Sequence, residues 1–577
     1  MSDLSYNIQL YRGPSEKIPH KALVLNLEGK LLEQSDNFSE EFKQKIPVIL
    51  PPQVISQLNL NEIGNVSEFT ASLIKALLNL KVDYPYDIST YDEAEGKFKL
   101  VLPYDMDDLV VRTARLSMTV LNLIFRDQQV ITKTQQSQIN NYVQEIVNLS
   151  PSTIIASMLK TAKEYDIPFT VIDKVNFAIS YGQGVNSKIF QYASTDKDSS
   201  FGYHMQKDKI STNVFLRKLG FPASEQYIAA DFNHCRKIID EIGFPVVIKP
   251  HAEGRGTGVT ANICKIEDIE PAFLEASEFS PGRVVIEKYV PGDDHRINVY
   301  EGKVVSVMRR RAAFVIGDGR SSLQTLVQIE NKRRLELRAA GGRYLQQIDL
   351  DVDGTQRLIA DAGLTLKSIP EEGRRVNLIS MANVSRGGSA KFLDLKNVHP
   401  DNIKMAIDVA RAFRLDNAGL DFITGDITKS WQEEGAIIEV NAYPFVGDNI
   451  IGLIFKEEFA KRNNGRIDTM LYLSDDENNA HSYFDEIKNK YKNLGFTNDK
   501  YTEISGMELH LRLLGLIDRI NALSLNPTCD GMLVHMKPKE VKELGLPMDQ
   551  FSKILVDKHL DKKLEWIENY TSKIEII

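Results

Sequence analysis

The chain has 577 residues, with hydrophobic residues at 42% and charged residues at 26%, close to globular averages, which excludes wholesale disorder and a fibrous repeat. That length points to three or four domains rather than one. With 70 Lys+Arg against 79 Asp+Glu the formal charge is −9, which argues against capture of nucleic acid by a strongly basic surface.

Three cysteines, Cys235, Cys264 and Cys529, lie far apart with no CxxC pair, so neither a disulfide framework nor a thiolate zinc site is expected. That count suits a reducing cytoplasm. The start, MSDLSYNIQLYRGPSEK, lacks a basic segment followed by an apolar stretch, and no apolar run approaches the roughly 20 residues a bilayer requires. No membrane partner and a cytoplasmic location are therefore expected, with a homo-oligomer left open.

In chain order, residues 1 to about 165 read as a mixed α/β domain: strand-like runs KALVLNLEG, KIPVILPP and KFKLVLPYD alternate with helical patterns SEFTASLIKALLNL and DDLVVRTARLSMTVLNLIF. Leu109, Val110, Ala114, Met118, Val120 and Leu121 largely follow the spacing of one buried helix face. A short α/β segment, STIIASMLKTAKEYDIPFTVID, follows. The polar stretch YGQGVNSKIFQYASTDKDSS has no periodicity and reads as an ordered connection or a substrate-facing loop. From about 205 to 455 helices and strands alternate around a Gly-rich loop. Residues 456–577 hold a charged Asn- and Lys-rich segment and one strongly apolar helix candidate, GMELHLRLLGLIDRINALSL.

The chemistry lies in the middle segment. In VVIKPHAEGRGTGV a strand carrying Lys249 runs into a loop with Gly254, Gly256, Thr257 and Gly258. Alternate glycines let backbone N–H groups approach phosphate oxygens, and a strand lysine adds positive charge. A plain surface hairpin accounts for the same loop. No Gly-Lys dipeptide is followed by Ser or Thr, so this is not a P-loop, and the GxGxG spacing is not that of a dinucleotide fold.

In GAIIEVNA, Glu439 and Asn441 stand at i and i+2, on one strand face, and Asp421 in AGLDFIT joins them if its strand pairs alongside. Three hard oxygen donors of that kind suit Mg²⁺. Isolated strand carboxylates otherwise face solvent. In RVVIEKYVPGDDHRINVYEGKVVSVMRRR, the strand from Glu287 through Lys288 and Tyr289 to Val290 offers a backbone edge to a base. Arg296 and the run Arg309–Arg310–Arg311 supply cations for phosphoryl charge, at least one of the run lying on a solvated strand edge.

In order and approximate spacing, these motifs resemble the ATP-grasp superfamily. Within it the similarity is to cyanophycin synthetases and the ligase half of bifunctional glutathione synthetases. It is carried by YGQGVNSKIFQYASTDKDSSFGYHMQKDKISTNVFLRKLGFP, DHRINVYEGKVVSVMRRRAAFVIGDG, MANVSRGGSAKFLDLKNVHP and AGLDFITGDI, and more weakly by YRGP and LNLEGKLLEQSDNF. The fold class implied is α/β (α+β): an N-terminal mixed α/β substrate or acceptor domain over 1–165, an ATP-grasp domain over 166–455 with its nucleotide lid at roughly 205–292, and a C-terminal extension over 456–577.

The resemblance implies that Lys209 and Lys249 contact ATP phosphates beneath the 254–258 loop, that Glu287 and the backbone through Val290 hold adenine or ribose, and that Asp421, Glu439 and Asn441 bind Mg²⁺. Arg296 and Arg310 would steady the transferred phosphoryl group, and Arg386 would stand in for a family arginine whose place holds Ile379. The activity implied is an ADP-forming carboxylate–amine ligase that joins an amino acid to an amino acid or peptide through an acyl phosphate. The muramyl-ligase-like domain that follows in cyanophycin synthetases has no counterpart among the motifs, so a single type of coupling is expected. The alternatives are a nucleotide-binding scaffold that has lost ligation and a metal-dependent kinase making a stable phosphate.

Overall fold

The computed structural model describes residues 5–29, 32, 38–94, 96–125, 131–251, 258–339, 345–350, 355–379, 387–442, 444, 448–510, 514–558 and 565–577. The chain forms two compact units, one of residues 1–192 with 447–577 and the other of residues 193–446. The stretch 166–192, expected with the catalytic domain, and the extension 456–577 thus lie with the N-terminal residues in the first unit.

In the first unit, strands Ser5–Tyr11, Ala22–Glu28, Lys97–Pro103 and Ser89–Ala94 form one antiparallel sheet in that order. The helix Asp107–Ile124 starts on two aspartates at its positive end and buries the expected face, including Val110, Ala114, Met118 and Leu121. The run KIPVILPP is not a strand. It completes the helix Glu40–Ile49, with Pro47 inside, because Ser39 caps the start and Phe42, Ile46 and Ile49 repeat at helical spacing on the buried side.

The polar stretch after residue 174 also forms more structure than an aperiodic connection. Ala178–Tyr181 pairs antiparallel with both Phe169–Asp173 and Lys188–Gln191. Beyond residue 466 a seven-stranded sheet runs in the order Met507–Glu508, Thr502–Ile504, Leu494–Thr497, Gly531–Met536, Asp468–Leu473, Lys553–Val556, Ile574–Ile576, the last five parallel. Apolar clusters cover both of its faces. Of the apolar helix expected across 506–525, Leu516–Ser524 is helical, whereas Met507–Glu508 pairs as an edge strand.

The site-bearing part of the second unit lies on two larger antiparallel sheets, beside a two-stranded pair of Phe314–Ile316 with Arg375–Asn377. One has the order Thr260–Ile263, Val246–Pro250, Val284–Lys288, Gln226–Ala229. Its residues Val246, Ile248, Val284, Ile286 and Ala229 pack on helices Phe232–Ile242 and Ile269–Phe279. The other has the order Ser389–Leu393, Lys303–Arg311, Asp293–Tyr300, Asn417–Thr424, Ala436–Asn441. Ile297, Val299, Val307, Leu420, Phe422, Ile437 and Val440 point to one side of it and close over Met405, Ala406, Val409 and Ala410 of helix Pro400–Ala412. Because side chains alternate across a strand, the other side is left to Arg296, Arg310, Asp421, Glu439 and Asn441. Among the described residues no helix is long and apolar enough to cross a membrane.

Candidate active site

Strand register sets the charged face of the five-stranded sheet. Across adjacent strands Arg296, Asp421 and Glu439 are direct partners, forming one row. Arg310 and Asp294 form a second row, and Asn298, Gly419 and Asn441 a third. Residues directly opposite in an antiparallel ladder share a face, so the three rows make one polar floor. Gly419 has a packing reason to lack a side chain: a Cβ there would stand 3.1 Å from both Cδ and Nη1 of Arg296.

Both oxygens of Asp421 are engaged. Arg296 Nε donates to Oδ1, and Arg310 Nη2 lies 2.9 Å from Oδ2. Arg310 also grips Asp294 in a fork, with Nε and Nη2 donating at 2.7 to 2.9 Å. The carboxylate side chain of Asp421 is 5% exposed. Burial alone would push its pKa up, but the charges of Arg296 and Arg310 hold it below the usual carboxylate range. Glu439 is shifted the other way: burial, then the neighbouring Asp421 charge, raise its pKa against the pull of Lys209, Arg296 and Lys249. Asp294 is pushed up to about 6 by burial and by Asp421, opposed by Arg310 and Arg296. Arg310 is held more firmly protonated, its burial outweighed by Asp421 and Asp294.

The four-stranded sheet supplies the second half of the site. Lys249 Nζ donates to Glu287 Oε2 and Ser224 Oγ donates to Glu287 Oε1, all three on the face turned away from the helices. Lys209 opens the helix Lys209–Lys218 and donates to the His251 carbonyl at 3.3 Å. The His251 ring lies 3.3 Å from Asp208 and 3.1 Å from Arg283. Burial, with Arg283 and Lys209, lowers its pKa although Asp208 raises it. At Gly258, φ is +63 and a Cβ would meet Phe279 at 2.8 Å, so the exit of the glycine loop admits only glycine.

Most of the described residues picked from the sequence lie on the polar faces of these two sheets. Lys288 points to the opposite face, where its ammonium donates to the carbonyls of Ile242, Gly243 and Phe244 at 2.9 to 3.1 Å and closes the end of a helix. The Tyr289 N–H donates to Pro245 O at 3.1 Å. Val290 follows, separated from the Asp293–Tyr300 strand by Pro291 and Gly292. Gly254, Gly256, Thr257 and Arg386 lie outside the described residues. Ile379 packs in the apolar cluster with Ala313, Val315 and Val376. Arg309 takes the other face and pairs with Asp293 at 3.2 Å. Sequence reasoning missed Asp294 and Asn298, although both share the i, i+2 alternation that placed Arg296 on this face.

Residues 217–318 match the family model described as D-ala D-ala ligase C-terminus. The chain is 31% identical over 422 residues to the cyanophycin synthetase of Trichormus variabilis, covering 70% of this chain and 46% of the relative. It is 27% identical over 436 residues to the glutathione biosynthesis bifunctional protein GshAB of Clostridium perfringens, covering 71% of this chain and 51% of that one. The chain thus spans about half the length of these curated relatives. Among solved structures, a bifunctional glutathione synthetase from Pasteurella multocida aligns with a TM-score of 0.40 and 19% identity, over 61% of this chain and 52% of that one.

Proposed function

We propose that this chain is an ATP- and Mg²⁺-dependent carboxylate–amine ligase, forming an amide or peptide bond between an amino acid and an amino acid or peptide and releasing ADP and phosphate. The observation that carries this reading is the row Arg296–Asp421–Glu439, flanked by Arg310–Asp294 and by Asn441. It sets hard oxygen donors and permanently charged guanidinium groups on one water-shielded floor. A set of two carboxylates and an amide oxygen fits Mg²⁺ and not a thiophilic metal. The raised Glu439 pKa fits too, because an adjacent cation favours the ionised form that burial disfavours. Asp421, Glu439 and Asn441 would hold the ion, which when bound neutralises charge on nucleotide phosphates.

The remaining work falls to positioned cations. Lys209 and Lys249 bind phosphate oxygens, Glu287 keeps the Lys249 ammonium on the nucleotide side, and Arg296 and Arg310 receive the transferring phosphoryl group. A substrate carboxylate oxygen bonds to the terminal phosphorus as the bond to ADP breaks. The amine nitrogen then bonds to the acyl carbon, phosphate leaves with the C–O bond electrons, and the amine gives up a proton. Positioning and charge neutralisation are enough for such a transfer, so no side-chain nucleophile is required. The similarity to cyanophycin synthetase and GshAB supports amino acids and peptides as the substrate class.

The test is a screen of amino-acid pairs for phosphate release, with mass spectrometry of each product. ADP and phosphate should appear only when a carboxylate and an amine partner are both present. AMP, or no turnover with any pair, contradicts the reading, and phosphate transfer that needs no amine favours a kinase.

A further inference from the structure

The nucleotide-side face of the four-stranded sheet carries a polar group that nothing above uses. Gln226 stands on the edge strand as the direct cross-strand partner of Glu287. Its Oε1 is buried and, among the described residues, has no hydrogen-bond partner. A buried acceptor left unpaired is costly, and native structures keep few of them without a reason.

Its surroundings narrow the reason. Both oxygens of Glu287 are already engaged, by Ser224 Oγ and Lys249 Nζ, so that carboxylate fixes the lysine and is a poor reader of a base. On the same face, register places Val247 beside Glu287, and Val285 between Lys249 and Ile228. An apolar strip with one unpaired acceptor at its margin suits a flat heteroaromatic ring that offers an N–H at one edge. Of the common purines, adenine offers an amine there; guanine and hypoxanthine place a carbonyl oxygen at that ring position, setting acceptor against acceptor.

We infer that Gln226 is a base-specificity residue, its Oε1 accepting a hydrogen bond from the exocyclic amine of the purine lying along Val247, Val285 and Ile228. The inference rests on the ligase reading for the presence of a nucleotide and adds to it the group that selects adenine. A site built to bond an amine rejects an analogue lacking it more strongly than an apolar slot does.

The test titrates the full chain by calorimetry with ATP and with purine riboside triphosphate, which differs only in lacking the exocyclic amine. The wild type should bind ATP about tenfold more tightly, the scale of one net hydrogen bond. Gln226→Leu should bring the two nucleotides to within about twofold by weakening ATP alone, whereas Gln226→Glu, which retains an acceptor, keeps a preference for ATP. Thermal melting checks each fold, and Gln226→Met replaces the leucine variant if that one does not fold. A Gln226→Leu or Gln226→Met protein with the wild-type ratio overturns the assignment, as does a wild type without preference. Failure of the wild type to bind either nucleotide instead removes the ligase reading beneath it.

Discussion

The five-stranded sheet of the second unit and the parallel sheet beyond residue 466 bury comparable apolar cores but present opposite chemistry at their polar margins. In the parallel sheet, Asp468–Leu473 has parallel neighbours on both sides and runs into the helix Glu477–Ile487, the place where open α/β sheets commonly receive phosphate. Here that turn is Ser474–Asp475–Asp476, and its own side chains fill it. Asp476 accepts from the Asn478 N–H, Ser474 Oγ donates to Asp476 O at 2.7 Å, and the buried His535 ring lies 3.1 Å from Ser474 O. Burial lowers the His535 pKa, aided by Lys537 and opposed by its bond to Ser474. On the five-stranded sheet the acids are interleaved with Arg296 and Arg310. Both sheets have a polar margin, and they differ in whether cations stand among the acids there.

Substitutions can break or sharpen that contrast. Glu439→Ala should lower ligase turnover by about 10³-fold, the scale of removing a preorganised charge partner at a reacting centre. Full activity in that variant, measured by ADP release, removes Glu439 from the metal-binding set. Next in size is a purely structural effect. Phe422 lies on the apolar side of the same strand as Asp421 and is fully buried. Phe422→Ala should cost about 3–5 kcal/mol in urea unfolding, and a loss below about 1 kcal/mol would mean the sheet is not held from beneath. The smallest change belongs to the other sheet. Asp476→Ala should cost about 1 kcal/mol by removing a helix cap and should leave turnover within about twofold. A large loss of ligation in that variant would erase the distinction between the two margins.

Much of the second unit was legible because strand alternation is a two-residue rule. Glu439 and Asn441 could be put on one face from spacing alone, and Asp421 followed once its strand was paired. Asp294 escaped notice because its partner, Arg310, lies 16 residues away in sequence and meets it only through the hairpin register. What the Lys288 side chain does was hidden for a related reason: spacing puts it opposite Glu287, but only the folded chain shows the three carbonyls it caps. The parallel sheet was the least readable. Its strands Gly531–Met536 and Asp468–Leu473 are buried almost throughout, so they show no alternation to separate them from helix or loop. KIPVILPP misled in the opposite direction, since an apolar run with proline resembles a strand until the Ser39 cap is seen.

In the proposed reaction the charged floor transfers a phosphoryl group to a substrate carboxylate before an amine attacks. Once a productive substrate pair is known, turnover with the carboxylate labelled by ¹⁸O tests it directly. The account predicts one ¹⁸O atom in the released inorganic phosphate, with ADP as the nucleotide product. Unlabelled phosphate, or label recovered in AMP, would contradict it.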